Sequence, residues 1–223
     1  MLRLENIRYR YKKGERDTLN DISAEFTAGK FTSIVGPSGS GKTTLLSIMA
    51  GLDTPTSGIV EIDDKSLDSL DLDRYRREQI AMIFQAFQLF PLLTTLENVC
   101  YPMDMNKIPK DEAKERAKEL LISVGIDEDK HKRYPSNLSG GEQQRVAIAR
   151  ALSTGAKVIL ADEPTGNLDE TNGEIVVNIL KSLAHDQGYA VVVVTHNLEI
   201  ADASDVVYRM SDGKLTLYKK RNN

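Results

Sequence analysis

The residues whose types and spacing are best suited to chemistry form one glycine-rich segment. In order, the segment reads Gly36, Pro37, Ser38, Gly39, Ser40, Gly41, Lys42 and Thr43. It matches the pattern G-x-x-x-x-G-K-[ST], whose glycines let backbone N–H groups wrap around a chain of phosphates. Lys42 can reach the outer phosphates, the Thr43 hydroxyl can bind Mg²⁺, and a following helix adds the positive end of its dipole. We therefore predict a nucleoside triphosphate site here, with Thr44 as a further contact.

Two adjacent carboxylates, Asp162 and Glu163, directly follow an apolar run. Beside a phosphate-binding segment, Asp162 is suited to holding Mg²⁺, either directly or through water. Glu163 is suited to taking a proton from an attacking water molecule. The alternative is structural, because adjacent carboxylates at a strand end can also cap the next turn. The glycine-rich segment favours the chemical interpretation.

The elements that must position these residues are four short apolar runs, which cover residues 31–35, 80–84, 158–161 and 190–194. The last two are nearly all apolar, as is typical of strands that are buried on both faces. Helical patterns lie between the runs, over residues 42–50, 110–124, 142–152 and 173–184. Strands that alternate with helices predict a mostly parallel sheet, which binds ligands at the carboxyl ends of its strands.

A polar element follows each of the four runs. These elements are the glycine-rich segment, Gln85, the pair Asp162 and Glu163, and the pair Thr195 and His196. Because the carboxyl ends of parallel strands meet at one edge of a sheet, we expect all four elements to lie close together. This convergence predicts one site rather than four unrelated loops.

Residues of about 86–150 differ from the rest, since they are mostly helical in pattern and contain several prolines. We interpret them as a helical sub-domain inserted into a nucleotide-binding core that consists of residues 1–85 and 151–223. The clearest helix covers residues 110–124, where apolar positions recur at helical spacing and Gly125 follows as a C-terminal cap. Residues 1–5 alternate apolar and charged side chains, which predicts a strand.

Composition narrows the choice of function. The formal net charge is −4, which gives no indication of broad electrostatic binding to nucleic acid. Cys100 is the single cysteine, so no internal disulfide can form, and we interpret it as a packing residue. No apolar stretch approaches the roughly 18 residues that a membrane helix needs. We therefore expect a cytoplasmic protein unless another subunit holds it at a membrane.

A second anion site is predicted at the start of the helix near residue 140. Ser139 and Glu142 form an S-x-x-E capping box, and Gly140 and Gly141 leave the N-terminus of the helix uncovered. The plainer interpretation is a well-capped helix with no ligand. However, the segment from Leu138 to Arg145 resembles the signature motif of ATP-binding cassette (ABC) ATPases, and it lies just before the strand with the two carboxylates, as in that family. The resemblance implies that this motif covers a nucleotide bound to a second copy, in a head-to-tail dimer around two ATP molecules.

The resemblance extends to other positions and assigns them roles. Gln85 matches the glutamine that contacts Mg²⁺ and senses a membrane partner, and His196 matches the switch histidine at the γ-phosphate. The segment 167–169 matches the one that crosses the dimer interface. Tyr11 matches the aromatic residue that stacks on adenine. Tyr9 is a nearby alternative, and either tyrosine could simply be a strand side chain.

The resemblance covers essentially the whole chain, and segments 36–42, 51–58, 84–89, 95–99 and 161–169 look like the macrolide-export and lipoprotein-release branch. The strand over residues 80–84 departs from the usual sequence of that branch. The resemblance implies an α/β P-loop NTPase fold with a mostly parallel core sheet, an N-terminal antiparallel β portion and an inserted helical sub-domain. It further implies a Mg²⁺-dependent ATPase subunit that drives a separate transmembrane permease from the inner face of the cell membrane. The alternative is an ATP-switched regulatory scaffold for a membrane partner. A soluble ABC protein of translation or DNA repair is disfavoured, because such proteins usually carry two cassettes or a long insertion.

Overall fold

The chain folds around two β-sheets with helices between and beside them. The computed structural model describes residues 1–12 and 16–221. The strands are β1 (Leu2–Tyr9), β2 (Leu19–Phe26), β3 (Phe31–Val35), β4 (Ser57–Ile62), β5 (Lys65–Ser66), β6 (Ile80–Ile83), β7 (Val158–Asp162), β8 (Ala190–Thr195), β9 (Val206–Ser211) and β10 (Lys214–Lys220). The helices are α1 (Lys42–Met49), α2 (Leu72–Glu78), α3 (Thr95–Met105), α4 (Lys110–Ser123), α5 (Gly140–Ser153), α6 (Glu170–His185) and α7 (Leu198–Ala203).

The larger sheet has the order β10-β9-β3-β8-β7-β6, and all of its pairings are parallel except that of β9 with β10. Strand β8, with the sequence Ala-Val-Val-Val-Val-Thr, is completely buried. Its branched apolar side chains face helices on both sides of the sheet, which is the burial that a parallel sheet requires. The predicted mostly parallel core sheet is confirmed.

The smaller sheet has the order β2-β1-β4-β5 and is antiparallel throughout. Its inner face contributes Leu2, Leu4 and Ile22 to an apolar cluster that also contains Leu45 of α1 and Val192 of β8. The sheet therefore covers one side of the core and packs against the helix that follows the glycine-rich segment. The predicted N-terminal antiparallel portion is confirmed.

Three helices, α3, α4 and α5, lie between β6 and β7 in the chain and pack against one another. Their buried side chains include Val99, Ala117 and Val146, and these belong to the same apolar cluster as Ile159 and Val191 of the core sheet. Helical content between these strands agrees with the expected insertion. Because the apolar core is continuous, the exact division at residues 86 and 150 stays a prediction.

Several element boundaries differ by a few residues from the sequence prediction. Helix α6 begins at Glu170 rather than near residue 173, because the Asp169 side chain accepts a hydrogen bond from Asn172 N at 2.9 Å and caps the helix. Gly125 follows the end of α4 with φ of +75°, the left-handed conformation that glycine adopts most easily. Within residues 1–12 and 16–221, no helix is both long and apolar enough to cross a membrane.

Candidate functional site

The glycine-rich segment lies between the end of β3 and the start of α1. Gly41 has φ of +105° and precedes the first turn of α1, so the chain enters the helix with its N–H groups turned toward the loop. Gly36 is required by packing, because a Cβ atom there would lie 2.1 Å from the carbonyl oxygen of Met210. The loop is thus fixed at both ends: by β9 behind Gly36 and by α1 after Gly41.

Lys42 lies folded across this loop. Its Nζ donates hydrogen bonds to the carbonyl oxygens of Gly36 and Pro37, at 2.8 and 3.0 Å. The stem of the side chain is buried, so the ammonium group is held at the centre of the loop. Such a position provides a fixed cation for a phosphate chain that the loop encloses.

Asp162 is the last residue of β7 and faces the start of α1. The Thr43 hydroxyl donates a hydrogen bond of 3.4 Å to Asp162 Oδ1. Burial raises the pKa of the Asp162 carboxyl group, and the neighbouring charge of Glu163 adds to this, whereas the Thr43 hydroxyl and Lys42 act in the opposite direction. The chain therefore provides too little positive charge to stabilise an ionised Asp162 fully, as is typical of a carboxylate that binds a cation.

Glu163 leaves the strand in a left-handed conformation with φ of +47°. Its N–H donates to Val194 O at 2.9 Å, which turns the side chain toward the end of β8. There Thr195 donates to Glu163 Oε2 at 3.1 Å, and His196 Nδ1 lies 2.9 Å from Glu163 Oε1. The backbone strain thus aims the carboxylate at His196.

These side chains surround one cleft of 570 Å³. The predicted site residues on its wall are Tyr11, Ser38, Gly39, Gly41, Lys42, Thr43, Thr44, Gln85, Asp162, Glu163 and His196. The remaining predicted residues of the loop, Gly36, Pro37 and Ser40, belong to the same loop but do not line the cleft. The expected convergence of four strand ends on one place is therefore present in the fold.

The two tyrosines considered for the nucleotide base occupy different positions. The Tyr11 ring is 49% exposed at the cleft, and its hydroxyl lies 2.9 Å from Thr44 Oγ1. Tyr9 turns away from the cleft, packs against the core beneath the small sheet, and donates to Asp53 Oδ1 at 3.4 Å. Its ring meets Tyr11 edge to face, with 4.9 Å between centroids. Of the two, Tyr11 is the one placed to stack on a ligand, and that role stays a prediction.

Gln85 is held by the loop that follows Glu163. Asn167 donates to Gln85 O at 3.0 Å, and Gln85 Nε2 donates to Asn167 Oδ1 at 3.3 Å. Gly166 leaves room for this pair, since a Cβ atom there would lie 2.8 Å from Gln85 Nε2. The buried side chain of Gln144 joins the same loops, because its Nε2 donates to Pro164 O at 2.8 Å and to Phe84 O at 3.4 Å.

The segment from Ser139 to Glu142 lies outside the cleft. Its capping box is present in both directions, because Ser139 Oγ accepts from Glu142 N at 3.3 Å and Glu142 Oε2 accepts from Ser139 N at 2.8 Å. Gly140 is partly exposed, whereas Gly141 is buried against Asn172 of α6. Within one copy of the chain, this second predicted anion site therefore does not line the cleft that contains the glycine-rich loop.

Sequence patterns do not single out three residues that line the cleft or contact the signature segment: Thr18, Lys130 and Asn172. Thr18 lines the cleft wall, Lys130 pairs with Glu142, and the Asn172 side chain holds Asp169. Each reaches the site across a long sequence separation or from within a helix. No local motif carries that information.

We expect Asp162→Asn to make the protein more stable while lowering its ATPase activity. The raised pKa of Asp162 means that the folded state binds this proton more tightly than the unfolded state, so the ionised side chain opposes folding at pH 7. Asparagine can still accept from Thr43 and carries no charge. The thermal midpoint should rise at pH 7, and the gain should shrink as the pH falls toward about 4, the ordinary aspartate value. A lower midpoint for the variant at pH 7 would contradict the assignment of burial as the dominant influence.

Comparison with known proteins agrees with this geometry. The model of the family described as ABC transporter matches residues 19–166. An ABC transporter ATP-binding protein of Thermotoga maritima is 46% identical over 208 residues, which are 92% of this chain and 88% of that protein. The macrolide export ATP-binding/permease protein MacB 1 of Yersinia pestis is 43% identical over 96% of this chain, a match that spans 34% of that longer protein.

Solved structures give the same result. A dimeric structure of MJ0796, an ABC transporter cassette that occurs in Methanocaldococcus jannaschii, superposes with a TM-score of 0.90 at 41% identity, and the match covers 100% of both chains. A second dimeric structure of MJ0796, in a post-hydrolysis state bound to ADP and Pi, gives the same values. The predicted family and the predicted ATPase activity are confirmed. The chain belongs to the ABC transporter family, and it is an ATP-binding and ATP-hydrolysing cassette of such a system.

Proposed function

We propose that two copies of this chain close head to tail around two Mg·ATP molecules and drive a separate membrane subunit. One observation carries this proposal. The cleft collects the phosphate loop, Asp162, Glu163 and His196, while the capped N-terminus of α5 lies outside it. In a head-to-tail dimer, Ser139, Gly140 and Gly141 of the second copy lie over the open side of the nucleotide that the first copy binds. MJ0796, which matches over the whole chain, forms dimers.

In the proposed reaction, Glu163 takes a proton from the water molecule that attacks the γ-phosphoryl group. Lys42 and the N–H groups of the loop stabilise charge on the transferred group, and His196 contacts it from the end of β8. The Glu163 carboxylate accepts hydrogen bonds from Thr195 and from His196 N, which fix its orientation. In the other copy, Ser139, Gly140, Gly141 and Glu142 form the lid over the same phosphates.

Thr43 of α1, Asp162 at the end of β7 and Gln85 after β6 fit a magnesium ion. Thr43 Oγ1 and Asp162 Oδ1 lie 3.4 Å apart, Gln85 lines the same cleft, and each offers an oxygen ligand of the hard type that Mg²⁺ prefers. Within the described residues, no group of three acidic, histidine or cysteine side chains could hold a metal. A site of few protein ligands suits Mg²⁺, which keeps several waters and binds substrate phosphates. When bound there, the ion neutralises charge on the phosphate oxygens.

A shallow groove on another face is the surface that we propose for the membrane subunit. It has a volume of 310 Å³ and is mostly apolar, with Phe90, Tyr101, Pro102 and Met82 on its wall. Nearby, Leu92 is 86% exposed. Met82 and Phe90 of the groove wall lie three residues before and five residues after Gln85 of the nucleotide cleft, so a partner seated in the groove contacts the segment that carries Gln85. A permease bound there would hold the chain at the inner face of the cell membrane.

Arg150, near the end of α5, connects that helix to the segment that forms part of the groove wall. Its guanidinium donates to Gln88 O at 2.6 Å and to Phe87 O at 3.2 Å, and it lies 5.7 Å from the centroid of the Phe90 ring. Phe87 and Gln88 both have positive φ, so this turn is strained and depends on such contacts. Helix α5 therefore carries the signature segment at its N-terminal end and contacts the groove wall near its C-terminal end.

The purified chain tests the proposal through the concentration dependence of its activity. We expect Mg²⁺-dependent ATP hydrolysis whose specific activity rises with protein concentration, because each site needs residues from two copies. Size-exclusion chromatography with light scattering should show a monomer without nucleotide and a dimer with ATP. A specific activity that does not depend on protein concentration, from a chain that stays monomeric in ATP, would contradict the shared site.

A further inference from the structure

An ion pair beside the signature segment joins two parts of the chain that are separate in sequence. Lys130 ends a short 3₁₀ helix, Glu128–Lys130, and its Nζ lies 3.1 Å from Glu142 Oε1 in the first turn of α5. It also lies 3.4 Å from Asp127 Oδ2. The Lys130 and Glu142 side chains are only 22% and 17% exposed, whereas Asp127 is 76% exposed. The contact with Glu142 is therefore the better shielded of the two.

The Glu142 carboxylate occupies the mouth of the proposed anion site. Its second oxygen accepts from Ser139 N, so the charge lies directly beside the start of the helix. The N–H groups of Gly140 and Gly141 belong to the first turn and have no acceptor inside the helix. Hydrogen bonding from Ser139 holds the pKa of Glu142 below its usual range, against the effect of burial, and Lys130 adds to this. Glu142 is thus an anion at neutral pH.

This arrangement sets two requirements against each other. The carboxylate closes the capping box and orders the first turn, which the proposed lid over the phosphates needs. The same negative charge repels the terminal phosphate of an ATP molecule that approaches Ser139 and Gly140. A cation on the other oxygen of the carboxylate offsets the repulsion without disturbing the capping box.

We propose that Lys130 is a positioning residue for the nucleotide bound to the other copy, because it balances the charge of Glu142 at the mouth of the signature helix. The inference rests on the proposed head-to-tail dimer. An ordinary surface ion pair would contribute little and would leave ATP-dependent association unchanged. Lys130 differs from such a pair because its partner, Glu142, also accepts from Ser139 N at the helix end that meets the phosphates in the proposed dimer.

The test measures the dissociation constant of the ATP-bound dimer by analytical ultracentrifugation, in a Glu163→Gln background that prevents turnover. Five proteins are compared: the background alone, and the background with K130M, with E142Q, with both of these, and with K130R. Glutamine at position 142 keeps the capping box, because its side-chain carbonyl can accept from Ser139 N. K130R serves as the conservative variant, since it keeps the cation.

We expect K130M to weaken the dimer by about tenfold for each of its two contacts, because a net negative charge then faces each terminal phosphate. Adding E142Q to K130M should restore the affinity to within about threefold of the background, since the local charge is balanced again. K130R should stay close to the background, and the loss in K130M should shrink at high salt. Thermal unfolding without nucleotide checks that all variants fold.

Two results would overturn the inference while leaving the dimer in place. One is a K130M dimer as tight as the background, and the other is a weakened dimer that E142Q does not rescue, which would mean that Lys130 acts through structure alone. A Glu163→Gln protein that stays monomeric at saturating ATP would instead overturn the proposed function, and the role of Lys130 would fall with it.

Discussion

Replacing Glu163 with glutamine should abolish steady-state ATP hydrolysis and trap a dimer with ATP bound. Glutamine has the same shape and can still accept the hydrogen bonds from Thr195 and His196 N through its carbonyl oxygen. It cannot take a proton from water, and loss of a general base typically costs about 10²–10⁴ in rate. The turnover number from a coupled ATPase assay and the mass in ATP from light scattering measure both effects.

The contrast with a surface carboxylate makes this result specific. Glu119 lies exposed on α4, outside the cleft and the signature segment, so Glu119→Gln removes the same charge without touching the site. We expect it to behave as wild type in turnover and in dimer formation. Wild-type turnover in Glu163→Gln would mean that another group activates the water molecule.

Gly36→Ala should destabilise the fold and also impair ATP binding. The added Cβ atom would lie 2.1 Å from Met210 O and 3.1 Å from Met210 C, and both are backbone atoms. Met210 pairs with Leu215 of β10 and is fully buried, so it cannot move aside. Overpacking of this kind costs about 1–3 kcal/mol, and here the shift must displace the phosphate loop itself. Urea unfolding and nucleotide titration measure the two losses separately.

A second glycine in the same loop provides the comparison for stability. Gly39 has φ of +76° but no atom within 4 Å of an added Cβ, so Gly39→Ala meets backbone strain without a clash. Its cost should be about 1 kcal/mol, clearly less than that of Gly36→Ala. Equal urea midpoints for the two variants would show that β9 yields to the added methyl group after all.

Local patterns were sufficient to predict the sheet and the cleft. Each apolar run is long enough for one strand, and the residue after it is polar, so the parallel arrangement alone gathers Gln85, Asp162, Glu163 and His196 at one edge. The capping box of Ser139 and Glu142 is likewise a local signal, readable from residues three positions apart. Where neighbours in sequence decide the geometry, the sequence prediction and the fold agree.

Contacts between distant segments could not be predicted in this way. Tyr9 ends β1 and Tyr11 lies beyond it, so the choice between them depends on tertiary contacts: Tyr9 bonds to Asp53, and Tyr11 lies beside Thr44. The fit of Asn172 against Gly141 joins two helices, and a Cβ atom on Gly141 would lie 2.0 Å from Asn172 Oδ1. The pairing of Lys130 with Glu142 crosses a loop in the same manner. Such contacts are determined by tertiary packing, and the spacing of residues in the sequence gives no signal for them.

The uninterrupted length of α5 couples movement of the groove to movement of the signature segment. The helix runs without interruption over 14 residues, which is about 21 Å. Its first turn belongs to the signature segment, and Arg150 near its end donates to Phe87 O and Gln88 O. No proline interrupts it, so its ends move as one body. In the proposed dimer, a shift of the groove and a shift of the lid over the neighbour's ATP would therefore be a single event. In the proposed dimer, a membrane partner that blocks the shift of the groove would also block closure of the lid, and ATP hydrolysis at the neighbour's site would wait for that movement.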